Sequence, residues 1–93
     1  MKNSMEEEKK QLVQEIKDLL AQNHFTLSFK KELNIVPYIK TLCFYDITRD
    51  TADNVYISMS CKVFYYTVQT RDIKNLSIEE LKGLIKDMKE AVL

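Results

Sequence analysis

The chain opens with an apolar stripe. Leu12, Val13, Ile16, Leu19 and Leu20 recur at helical spacing, and Lys9, Lys10, Gln14, Glu15, Lys17 and Asp18 fill the positions between. That pattern predicts a helix with one buried face. Ser4 with Glu7 three residues on has the form of a capping box, and Glu6, Glu7 and Glu8 suit the positive end of a helix dipole. Asn23 and His24 supply the stop, because Asn tolerates left-handed backbone and His favours the negative helix terminus. The period then drops to two. Phe25, Leu27 and Phe29 alternate with Thr26, Ser28 and Lys30, predicting a half-buried strand. Residues 32–37 read as a connection, with Pro37 at a strand entrance. A second strand follows over 38–48, rich in β-branched and aromatic residues. "RDTADN" (49–54) is the polar loop of a hairpin, and a third strand runs over 55–70.

The last helix is announced by Ser77 and Glu80, a second capping box, with Leu76 and Leu81 placed for a hydrophobic staple. Leu81, Leu84, Ile85, Met88 and Val92 carry its apolar stripe, and Gly83 falls on the outer face. The order α-β-β-β-α over 1–93 predicts a single α+β domain of two layers. Three strands form an antiparallel meander, and both helices bury their stripes on one face of it.

The third strand breaks its own alternation. Val55, Ile57, Met59, Cys61 and Val63 point one way and Tyr56, Ser58, Ser60 and Lys62 the other, but "VFYYTV" then sets bulky apolar groups on both faces. If the second hairpin pairs residues whose numbers sum to 104, Cys43 lies opposite Cys61 and Ile47 opposite Ile57. The other face then presents Leu42, Phe44, Tyr56, Phe64 and Tyr66 as a candidate interaction surface. Contiguous exposed apolar patches of more than a few hundred Å² usually mark a contact surface. The competing reading is a β-bulge over 62–64, which would turn Phe64, Tyr66 and Val68 into the core. Sixteen residues at about 3.3 Å each would outrun a typical strand, so bending or breakage is expected.

Composition narrows the chemistry. Fourteen basic residues balance fourteen acidic ones among 93. A neutral chain supplies the positive field a nucleic-acid binder needs only by segregating its charges, and along the sequence they are spread out. One glycine excludes Gly-rich phosphate loops, and no apolar run reaches membrane-spanning length. The charged start "MKNSMEEEKK" lacks a signal-peptide core, so a cytoplasmic location is expected, with Cys43 and Cys61 read as buried reduced thiols rather than a redox-sensitive cross-strand pair.

The remaining candidates carry little chemistry. His24 reads as a helix-terminal residue rather than a base or metal ligand. Asp46, Asp50 and Asp53 read as a solvated turn, since a calcium loop needs a different spacing and a glycine. Glu6–Glu8 and Glu79–Glu80 stand where helices favour acids. Tyr38, Tyr45, Tyr56, Tyr65 and Tyr66 read as sheet and core residues rather than base-stacking platforms. No cofactor or metal site is expected.

The element order is similar to that of double-stranded-RNA-binding domains, whose second helix opens with a basic cluster. Here that helix opens "SIEELKG", so the resemblance extends to element order alone. The favoured expectation is a non-catalytic protein-interaction module that binds a protein partner or a second copy of itself as a homodimer. A nucleic-acid-binding domain is the alternative.

Overall fold

A computed structural model describes residues 4–36, 39–61 and 67–92. Helix α1 (Ser4–Ala21) leads into strands β1 (Thr26–Val36), β2 (Ile39–Arg49), β3 (Val55–Cys61) and β4 (Thr67–Asp72), and a 3-10 turn (Ile73–Asn75) leads into α2 (Ile78–Ala91). The strands form one antiparallel sheet in the order β1-β2-β3-β4. The class is α+β, with the elements in the expected helix–sheet–helix order.

The β2–β3 register is the one the alternation implies: Cys43 opposes Cys61, Tyr45 opposes Met59 and Ile47 opposes Ile57. Two strand boundaries differ from the sequence reading. β1 continues through residues 32–36, where a connection was expected, because Glu32, Leu33 and Asn34 find partners in Leu42, Thr41 and Lys40. The third strand ends at Cys61, and the meander has four strands rather than three. Thr67 returns to pair with Cys61, and the ladder runs without interruption to Asp72 opposite Tyr56. β4 is therefore an antiparallel neighbour of β3 and not its continuation; residues 62–64, where a bulge is the competing expectation, lie outside the described residues. "KVFYYT" contains no Gly, Pro, Asn or Asp, so the usual punctuation of a turn is missing from the sequence.

Both helices lie on the odd-numbered face. Ile16 and Leu20 of α1 and Leu81, Leu84, Ile85 and Met88 of α2 are buried in one cluster with Leu27, Ile47, Val55, Ile73 and Leu76. The ion pairs Glu8–Lys82 (3.1 Å) and Glu15–Lys89 (2.8 Å) advance together along both helices, so the helices run parallel. At the start of α2 both arms of the capping box close: the Glu80 amide donates to Ser77 Oγ (3.1 Å) and the Ser77 amide to Glu80 Oε1 (3.0 Å). In α1, Ser4 already belongs to the helix, so its cap lies outside the described residues. Val92 follows the end of α2 and is exposed, not part of the stripe.

Phe25 also departs from its expected place. The end of α1 turns through two consecutive left-handed residues, His24 (φ 60°) and Phe25 (φ 66°), and the Phe25 amide donates back to the Leu20 carbonyl at 2.8 Å. Strand geometry starts only at Thr26, so Phe25 is 51% exposed instead of lying beside Leu27 in the core. The Arg49 guanidinium sits 5.7 Å from its ring centre.

Candidate interaction surface

Cross-strand pairing arranges the open face of the sheet in transverse rows. One row is Thr26, Thr48, Tyr56 and Asp72; the next is Ser28, Asp46, Ser58 and Thr70. Then Lys30, Phe44 and Ser60 stand side by side, and beyond them Glu32 and Leu42. The second row is closed by its own hydrogen bonds: Ser28 Oγ donates to the Asp46 carboxylate, and the Ser58 and Thr70 hydroxyls lie 3.1 Å apart. At the outer end Lys40 approaches Glu32 at 3.8 Å.

This layout divides the candidate surface. Leu42 and Phe44 are neighbours on one strand and one face, both half-buried. Tyr56 shares the face but lies on the far side of the hydroxyl and carboxylate row. Four residues of strand separate its row from that of Phe44, about 13 Å. Phe64 and Tyr66 lie outside the described residues, as do Tyr38 and Tyr65. Tyr45 faces the helices, stacked on Phe29 with ring centres 5.0 Å apart, and burial pushes its phenol pKa up. Beside it Lys31 donates to the Asp87 carboxylate at 3.0 Å, which raises the lysine pKa and ties α2 to β1.

The acidic candidates build structure. Asp50 organises the β2–β3 loop, its carboxylate accepting from the amides of Ala52 (3.0 Å) and Asn54 (2.8 Å). Asp53 adopts left-handed backbone (φ 69°) and pairs with Lys17 of α1 at 2.9 Å and with Arg49. Those two cations hold its carboxyl below the usual carboxylate range. Glu80 is likewise held low, first by the Ser77 amide and then by Arg71 at 3.0 Å. Arg71 lies on the helix-facing side of β4 and also donates to the Asn75 carbonyl at 3.0 Å. His24 is exposed at the end of α1. Among the described residues no group of three or more His, Cys, Asp or Glu is arranged to hold a metal ion.

The cysteines depart from the expectation of free thiols. Cys43 and Cys61 are joined in a disulfide, with their Cα atoms 4.3 Å apart across directly opposed positions, and both are buried. The short separation is that of a non-hydrogen-bonded antiparallel pair. The alternation along the sequence already sets the two residues opposite each other; the bond between them is what departs from the reading of reduced thiols.

Among the described residues no helix is long and apolar enough to cross a membrane. No protein-family model, curated protein or solved structure matches the chain.

Proposed function

We propose that this chain is a small non-catalytic protein-interaction module that acts by occupying a partner's surface, as an adaptor or inhibitor does, and that it self-associates as a homodimer through its open sheet face. The observation that carries the reading is the one-sided layering. Both helices cover the odd face, and the even face is left with Leu42 and Phe44 adjacent on β2. An apolar pair on a sheet face that no described element of its own chain covers is suited to a partner. The pair is small against the roughly 800 Å² per partner of a standard stable interface, so the dimer is weak and concentration-dependent. Nucleic-acid binding ranks second, because Glu79 and Glu80 stand where an RNA-binding helix of this element order would present cations.

Light scattering behind a sizing column, from micromolar to millimolar protein, tests the reading. The apparent mass should rise above the monomer's 11.0 kDa as concentration increases. Leu42→Ser with Phe44→Ser should hold it at the monomer value with cooperative melting retained. A monomer throughout, or a double variant that no longer folds, overturns the assignment of this face. A cytoplasmic location belongs to the same reading only if Cys43 and Cys61 are reduced there, since cytosolic thiols rarely persist as disulfides.

A further inference from the structure

The helical layer carries a second surface. A groove of about 570 Å³ lies along one flank of α1, lined by Glu6, Lys9, Lys10, Val13, Gln14, Lys17 and, from the 3-10 turn, Lys74. The six α1 residues follow i, i+3/i+4, i+7/i+8, i+11 spacing, a single stripe adjacent to the apolar one. Along the sequence these lysines look balanced by neighbouring acids. Folding separates the signs, because Glu8 and Glu15 turn to Lys82 and Lys89 on the α2 side.

Four lysines therefore face one glutamate, and their pairing is uneven. Outside the groove Lys31, Lys40, Lys82, Lys89, Arg49 and Arg71 each have a carboxylate partner, while Lys30 and Lys86 have none among the described residues. In the groove only Lys17 has one, Asp53. Lys9, Lys10 and Lys74 have none among the described residues. The lining itself is mostly apolar, formed by Val13 and the carbon stems of the long side chains.

We propose that this groove docks an acidic amphipathic segment of a partner protein, its carboxylates meeting Lys9, Lys10 and Lys74 and an apolar side chain lying over Val13. An apolar floor with a cationic rim is the complement of a helix that carries acids beside its apolar stripe. A nucleic acid would favour aromatic rings for base stacking, and none of the groove residues named above is aromatic. The inference goes beyond self-association through the sheet face and stands or falls separately from it.

The test titrates the intact chain into a fluorescent synthetic helical peptide bearing Glu on one face and Leu on the other, at low and at high salt, followed by anisotropy. Binding should be saturable and should weaken with salt. The Lys9→Glu, Lys10→Glu, Lys74→Glu variant should weaken it by roughly tenfold or more, and Phe44→Ser should leave it unchanged. Circular dichroism checks the fold of each variant. If the triple reversal does not fold, Lys10→Gln and Lys74→Gln singly should each weaken binding by about two- to threefold. The proposal is overturned by absence of saturable binding, by binding indifferent to the lysine changes, or by loss of binding in Phe44→Ser. A duplex or single-stranded oligonucleotide that outcompetes the peptide at this groove also overturns it, as does a dimer that only the lysine variants abolish.

Discussion

Phe25 and Leu27 separate at the residue scale what alternation treats alike. Both are large, apolar and two positions apart, yet one is exposed against Arg49 and the other buried under the helices. The cause is backbone: the left-handed exit of α1 uses up His24 and Phe25 before the pleat begins. Phe25→Ala should therefore cost less than about 1 kcal/mol, the worth of an exposed cation–π contact at most. Leu27→Ala should cost about 2–4 kcal/mol through lost burial and a cavity. Urea unfolding of the two variants measures both, and comparable losses would mean that Phe25 packs in the core.

Among the elements, α2 is the one whose sequence and structure agree most fully. Its capping box, its staple residues Leu76 and Leu81, and four buried stripe residues all stand where local rules put them. Gly83 is the exception to local optimality. It lies exposed within the helix, and a Cβ added there would meet nothing within 4 Å. Gly83→Ala should raise stability by about 1 kcal/mol through helix propensity alone, read as a higher urea midpoint with an unchanged slope. β4 is the opposite case. Residues 67–70 read as strand in the sequence, but as a continuation of β3; they form a strand of their own because the edge of β3 pairs with them antiparallel.

For the whole molecule, the Cys43–Cys61 bond ties β2 to β3 at the end of the sheet away from their loop. Its sequence separation of 18 corresponds to about 3 kcal/mol of stabilisation in the chain-entropy description of disulfides. Reduction with a dithiol, which leaves two thiols and an oxidised reagent, should lower the melting temperature by more than about 10 °C. Scanning calorimetry with and without reductant checks this, and an unchanged melting temperature would mean that the bond contributes nothing to the folded state's advantage. Intact-mass measurement after alkylation confirms which form is melted.

The sequence by itself determined the class, the order of helices and sheet, the β2–β3 register and the faces that α1 and α2 bury. These follow from periodicity and capping, which act over one or two turns or one hairpin and so are written in neighbouring residues. Tertiary structure alone decided the fourth strand, the exposure of Phe25, the joining of Cys43 to Cys61 and the gathering of Lys9, Lys10, Lys17 and Lys74 in one groove. The exposure of Phe25 comes from the left-handed exit of α1, and the others depend on which distant segment lies alongside. Pairing sets β4 beside β3 instead of beyond it, the close approach of two opposed cysteines lets them join, and α2 draws Glu8 and Glu15 away from the lysines they accompany in the chain.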